Sequence, residues 1–405
     1  MKKKVLAVIM AAALCLGVAA CGSDPGGQKK QDGKTKETAA GEEEAGGQES
    51  ESAQDGQSVE EKKTLLCYVA YIGDFGLADM GWRAAQAAGE KYGYEVTLVE
   101  YGNDNSQAVN SLVDALETKH YDYVMAMGWY ITDTVVDKSR SGEWSDMTFV
   151  LYDTAPDLDL EGLDNIYGVS FGQNEGSFLV SVYSALMSKT GKIGCVVNVD
   201  APITNDFGTG WLCGYKYAVK ELGLDVDMMY TYMGELTVQG DYESVNVLMD
   251  NGCDYVYNIG GAVAMGAMQA ADEKGGVEAG KFIIGTDYDQ YAYFESVGDV
   301  QGYKTMVTSM LKNIENCCAL IFENINGEAE GITPGNSLYG IAVGGTGLVE
   351  NDWYKENTPQ EVQEQIREIA GKIADGEIDV VSYFDFSDYN SFAQYRDNPE
   401  AEFAK

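Results

Sequence analysis

One strand–helix–strand pattern is written twice along this chain, and that duplication limits the possible folds more than any other feature. In the first copy Tyr92-Gly93-Tyr94-Glu95-Val96 is followed by a helical segment, then Tyr121-Asp122-Tyr123-Val124, then Phe149-Val150-Leu151-Tyr152-Asp153. The second copy reads Leu222-Gly223-Leu224-Asp225-Val226, then Cys253-Asp254-Tyr255-Val256, then Phe282-Ile283-Ile284-Gly285-Thr286-Asp287. The beginnings correspond as well: Asp74-Phe75-Gly76 leads to Trp82, and Asp206-Phe207-Gly208 leads to Trp211. Apolar runs bounded by Gly and Asp and alternating with helical segments predict a parallel sheet covered on both faces. Two copies predict an α/β protein of two similar doubly wound lobes. The cleft between them is the place for a ligand, because open α/β sheets bind beyond the carboxyl ends of their strands.

The N-terminal segment reads as an address. Lys2-Lys3-Lys4 precedes an apolar stretch too short for a membrane span, and the small residues Val18-Ala19-Ala20 end on Cys21. That is the pattern of a bacterial lipoprotein signal over 1–21, with Cys21 lipidated as the new N-terminus. From 22 to 63 large apolar residues are nearly absent, which predicts a disordered acidic tether between the membrane and the folded body. The body of roughly 340 residues fits two lobes. A net charge of −38, from 65 acidic and 27 basic residues, argues against nucleic acid or anionic lipid as a partner.

Within the body the expected first lobe covers 64–190 together with about 305–335. The expected second lobe covers 191–304 together with about 336–384, and 385–405 forms a tail without an assigned role. A long helix over 305–324, carrying Lys312, is expected to return to the first lobe, and a segment near 337–343 to the second. The chain then crosses between lobes three times, which makes a hinge. Trp82 and Trp211 are expected near the starts of helices whose N-termini face the cleft.

No catalytic or metal motif is present: there is no GxSxG, Walker loop, HExxH or CxxC, and the single histidine, His120, has no partner at useful spacing. The cysteines follow no disulfide or zinc framework and read as small buried residues. Asp153 and Asp287 are the main candidates. A carboxylate at a strand's carboxyl end either caps the next turn or accepts hydroxyl protons from a polyol or ribose. Two at equivalent places in duplicated lobes favour the ligand. Trp82 offers a flat face for a sugar or base, with core packing as the competing reading, and Trp211 reads as core. Gly260-Gly261 before a helix either exposes backbone N–H donors or is a plain tight turn. The same pair of carboxylates is compatible with a sugar receptor, or with a hydrolase acting on a glycosidic bond.

Together these residues resemble the basic membrane protein family of lipoproteins, the PnrA-like purine-nucleoside receptors of ABC transporters. The matching stretches are 171–179, 189–194, Ile284-Gly285-Thr286-Asp287-Tyr288-Asp289-Gln290 and Thr308-Ser309-Met310-Leu311-Lys312-Asn313. The resemblance implies a type 1 periplasmic-binding-protein fold, no cofactor and no catalysis, a small-molecule ligand and a permease partner. It implies ribose contacts at Asp287 and Lys312, a glycine position at Gly261, a base contact at Asp153, the family's early acidic or amide position at Asp74, and its first stacking aromatic at Trp82. The chain departs from the family in two places. Gly76-Leu77-Ala78-Asp79 replaces the usual Ser-Phe-Asn-Gln, and Gly234-Glu235-Leu236 stands where a second stacking Phe is expected.

Overall fold

The computed structural model describes residues 62–398, apart from 75, 103 and 299. The expected signal with Cys21, the tether up to residue 61 and the last residues of the tail lie outside the described residues. Among the described residues the strands are β1 (Thr64–Val69), β2 (Glu95–Glu100), β3 (Tyr123–Met127), β4 (Thr148–Tyr152), β5 (Ile166–Phe171), β6 (Lys192–Val197), β7 (Asp227–Tyr232), β8 (Tyr255–Ile259), β9 (Phe282–Gly285), β10 (Met306–Lys312), β11 (Gly335–Tyr339) and β12 (Thr346–Leu348). The helices are α1 (Leu77–Tyr92), α2 (Ala108–Thr118), α3 (Thr132–Ser141), α4 (Gln173–Met187), α5 (Pro202–Lys220), α6 (Val238–Asp250), α7 (Met265–Glu273), α8 (Gln290–Val297), α9 (Ile314–Ile325), α10 (Asp352–Asn357), α11 (Gln360–Ala374) and α12 (Tyr389–Asp397).

The strands form two six-stranded sheets, in the orders β11-β5-β4-β3-β1-β2 and β12-β10-β9-β8-β6-β7. All pairings are parallel except that of β12 with β10. Reading both orders from the right matches β1 with β6, β2 with β7, β3 with β8 and β4 with β9, so the sequence duplication is a duplication of topology. The central strands are apolar along their whole length because both faces are covered. In β1, Leu65, Cys67 and Val69 join one apolar cluster, while Leu66 and Tyr68 join the cluster on the opposite face. In β6, Ile193, Cys195 and Val197 divide from Val196 in the same way.

The chain passes between lobes three times: from β5 into α4, from β10 into α9, and from β11 to β12. The crossings are bonded to one another. Gly172 N–H donates to Tyr339 O at 3.1 Å and Asn313 N–H to Gly345 O at 2.9 Å. Ile341 N–H donates to Glu175 at 2.6 Å.

Two sequence expectations are corrected here. The segment 305–324 is not one helix: 306–312 is strand β10, inserted between β9 and β12, and a helix starts only at Ile314, where the Asn313 side chain accepts from Asn316 N–H. Lys312 therefore ends a strand of the second sheet. Conversely, the segment near 337–343 begins as β11, which pairs with β5 of the first sheet. The expected boundary at 190 moves as well, because α4 packs on α5 and shares the second-lobe apolar cluster, so the first crossing falls at 172 and all three expected lobe boundaries shift. The physical reason is non-local. Met306, Val307 and Met310 are fully buried between neighbouring strands and helices, and that burial decides the conformation of an apolar run with no helical signature of its own.

Helix α5 also begins earlier than expected, at Pro202 in its first turn, where the missing N–H costs nothing. Trp211 is consequently mid-helix and fully buried, in the core role expected of it. The described part of the tail has structure: it contains α12, and Lys216 donates to Tyr395 O at 3.0 Å with its ammonium over the Tyr395 ring. Just before the tail, the Ser382 hydroxyl and the Tyr383 N–H both donate to Asp206. All six cysteines among the described residues are free and buried. No helix among them is long and apolar enough to cross a membrane.

Candidate functional site

A cavity of about 130 Å³ lies beyond the carboxyl ends of both sheets. Three pairs of loops reach it, in equivalent positions of the two lobes. The loops after β4 and β9 supply Asp153 and Asp287, those after β3 and β8 supply Trp129 and Gly261, and the segments after β1 and β6 supply Leu77 on one side and Ile203, Thr204 and Phe207 on the other.

Asp153 has φ +62° and Asp287 φ +72°, and they are the only non-glycine residues in the left-handed region among those described. Asp tolerates that conformation better than most residues, but not without cost. Both residues line the cavity. Their partners differ. Asp153 Oδ1 accepts from Lys312 Nζ at 2.6 Å, with the lysine side chain 2% exposed and the carboxylate 10%. Asp287 Oδ1 is shielded from solvent and has no hydrogen-bond partner. Burial pushes the Asp287 carboxyl up to about 6; the Lys312 ammonium opposes this, and the charges of Asp153 and Asp74 add to it.

Lys312 is held by its backbone, whose N–H donates to Asp287 O at 2.7 Å, and its ammonium stands 4.6 Å from the Phe207 ring centroid. Gln290 fixes the rest of the floor. Its Oε1 accepts from Thr286 N–H at 3.3 Å and its Nε2 donates to Gly261 O at 3.4 Å. Gly285 must lack a side chain here, since a Cβ would lie 2.1 Å from Gln290 Oε1. Thus the Gly285-Thr286-Asp287-Tyr288-Asp289-Gln290 segment ties the Asp287 turn to the Gly261 turn, which itself needs φ +55°. A second buried carboxyl supports the same loops from below. Asp241 accepts from Asn258 Nδ2 and from Ala267 N–H, and burial raises it to about 7.

The expected site residues divide into two groups. Asp153, Gly261, Asp287 and Lys312 line one cavity, whereas Asp74 and Trp82 are not among its lining residues. The Asp74 carboxylate accepts from the N–H groups of Gly76, Ala78 and Asp79, so it caps α1, and burial raises its pKa against those bonds. Because α1 starts at Leu77, Trp82 lies beyond the first turn and packs, half-buried, on the first-lobe apolar cluster. Sequence reasoning missed Trp129 and Phe207. Trp129 follows β3 as Gly261 follows β8, so the duplication already contained its address; its indole is 43% exposed, high for so large an apolar side chain. Phe207 lies in the Asp206-Phe207-Gly208 correspondence but was hidden by the late start assigned to its helix. His120 is exposed, with Nδ1 3.8 Å from Asp146. No cluster of metal-ligating side chains occurs among the described residues.

Two lobes of one plan, a triple crossing and a pocket between strand ends, apolar in its walls and charged at its floor, form an arrangement suited to holding a small molecule between the lobes. Residues 62–381 match the family model described as ABC transporter substrate-binding protein PnrA-like, and the chain belongs to that family. It is 28% identical over 293 residues to basic membrane protein A of Borreliella afzelii, covering 72% of this chain and 82% of the relative. It is likewise 28% identical over 261 residues to an uncharacterized lipoprotein of Pyrococcus furiosus, covering 63% and 64%. A solute-binding protein of an ABC transporter system from Aeropyrum pernix K1 has the same fold, with TM-score 0.69 and 21% identity over 85% of this chain and all of the other. Membership of the family makes the chain the substrate-binding component of an ABC transporter, with a small-molecule ligand and a permease as partners.

Proposed function

We propose that the chain captures a purine nucleoside between its lobes and delivers it to the permease. The observation that carries this reading is the floor of the cavity. An unpaired Asp287 carboxylate stands beside the Lys312–Asp153 pair, beneath walls made by Leu77, Trp129, Ile203, Phe207 and Ile259. A ribose presents vicinal hydroxyls that donate to Asp287 and accept from Lys312. A base presents a flat apolar face to Trp129 or Phe207. Trp129 takes the stacking role that the family resemblance assigned to Trp82, and Gly261 and Asp153 remain as polar contacts. Titration calorimetry with inosine, guanosine and adenosine should give dissociation constants of about micromolar or tighter, near −8 kcal/mol. Heat with hexoses or pentoses and none with nucleosides would replace this ligand class by a sugar.

We also propose that Cys21 carries the lipid that anchors the protein at the outer face of the cell membrane, as the lipoprotein pattern over 1–21 implies. Mass spectrometry of the membrane-extracted protein should find a diacylglyceryl mass on an N-terminus at Cys21. An intact signal, or cleavage elsewhere, overturns this.

A further inference from the structure

Tyr288 follows Asp287 in the loop between β9 and α8, yet its ring reaches into the apolar cluster of the other lobe. It is 8% exposed and belongs to the first-lobe apolar cluster that contains Ala78, Met80 and Ile314. A groove bordered by Met80 and Arg83 of α1 on one side and by Tyr288, Asp289 and Tyr293 on the other marks the same contact between lobes. The ring meets Tyr293 edge-on, with centroids 5.9 Å apart at 71°.

The loop moves with the second lobe because its bonds are made there. Tyr288 N–H donates to Thr286 O at 2.9 Å, Gln290 N–H to Tyr288 O at 2.8 Å, and Lys312 N–H to Asp287 O. Asp287 and Tyr288 are thus adjacent residues of one rigid turn, the first directed into the cleft and the second into the opposite lobe. Any separation of the lobes must withdraw the Tyr288 ring from the first-lobe cluster. The ring is not wholly content where it is, because its hydroxyl is shielded from solvent with no hydrogen-bond partner. Ring burial favours closure, and the unpaired hydroxyl, which water would satisfy on opening, opposes it.

We propose that Tyr288 is the latch of interlobe closure and a positioning residue for Asp287, setting ligand affinity through the fraction of molecules that are closed. The proposal rests on the reading that the lobes close around a nucleoside, and it predicts opposite effects for two substitutions. Tyr288→Ala removes the ring and should raise the dissociation constant for inosine by about tenfold or more. Tyr288→Phe keeps the ring, removes the unpaired hydroxyl, and should lower that constant by about threefold. A side chain that merely fills a static core would not tighten binding on losing its hydroxyl.

Hydrogen exchange on the ligand-free full chain provides a readout that does not depend on the ligand. Tyr288→Ala should speed exchange in the first turns of α1 and in α8, while leaving the central strands of both sheets unchanged. Unchanged exchange in α1 and α8, or inosine constants within twofold of the parent for both variants, overturns the latch. If Tyr288→Ala does not fold, Tyr288→Phe decides alone, and binding weaker than or equal to the parent overturns it. A parent that binds no nucleoside sinks the ligand assignment, and the exchange comparison still decides the latch.

Discussion

Asp153 and Asp287 occupy the same place in two copies of one fold and share a rare backbone conformation, but their chemistry differs because only one has a cation to hold. Lys312 donates to Asp153, so Asp153 is an ion-pair partner before it is anything else. Removing its charge as Asp153→Asn leaves a buried ammonium without a counter-ion and should lower stability by about 3 kcal/mol or more, measured by urea denaturation. Asp287 has no such duty. Asp287→Asn should leave the fold intact and raise the nucleoside dissociation constant on the order of a hundredfold, because it removes a charged acceptor of two hydroxyls. Its carboxyl, pushed up to about 6, must be ionised to accept both, so affinity should be full above neutral pH and fall as pH drops through about 6. Affinity independent of pH between 5 and 8 would contradict that role.

At the scale of elements, the second lobe is built around the α4–α5 contact. Gly210 and Gly214 lie one turn apart on α5, and a Cβ on them would stand 2.0 Å from Asn174 O and 2.4 Å from Phe178 O of α4. The two backbones touch with no side chains between them. Both neighbours are backbone atoms of a buried helix and cannot step aside, so Gly210→Ala should cost about 3 kcal/mol or more, or abolish soluble expression. A melting temperature within a few degrees of the parent would show that the helices can part. The contact matters for the site because α4 leads away from one interlobe crossing and α5 carries Thr204 and Phe207 into the cavity. Asp206 ties the region together: Oδ2 accepts from Gln173 Nε2 and Oδ1 from the Ser382 hydroxyl and the Tyr383 N–H, which binds the first turn of α4, the second turn of α5 and the segment at 382–383.

For the whole molecule, buried carboxyls dominate the pH dependence of folding. Burial holds Asp206 at about 6, Asp241 at about 7 and Asp287 at about 6, each above the roughly 3.9 of an unfolded Asp. Between those limits the folded state binds more protons than the unfolded state, so this contribution is complete below about pH 4 and is lost as pH rises through 6 to 7. The self-repulsion of a chain with net charge −38 acts in the same direction. The urea midpoint of the ligand-free protein should therefore be higher at pH 5 than at pH 8, and Asp241→Asn should reduce the difference. A higher midpoint at pH 8 would refute it.

The sequence by itself determined the duplicated α/β plan, the placement of two aspartates at equivalent strand ends, the number of interlobe crossings though not their places, and the burial of Trp211. These are local or periodic signals: apolar runs of strand length, helical spacing, and turn residues at fixed offsets from both. It also carried the family segment from Ile284 to Gln290, whose spacing is fixed by the turn it makes. Only the tertiary structure decided that Met306–Lys312 is a strand of the second sheet, because that run takes its conformation from burial between β9 and β12, residues distant along the chain. Only the tertiary structure separated Trp129 from Trp82, since exposure at a cleft is a property of what packs around a side chain. And it alone gave Lys312 to Asp153 and left Asp287 Oδ1 without a hydrogen-bond partner, because which carboxylate an ammonium reaches is settled by a distance between lobes that no local pattern encodes.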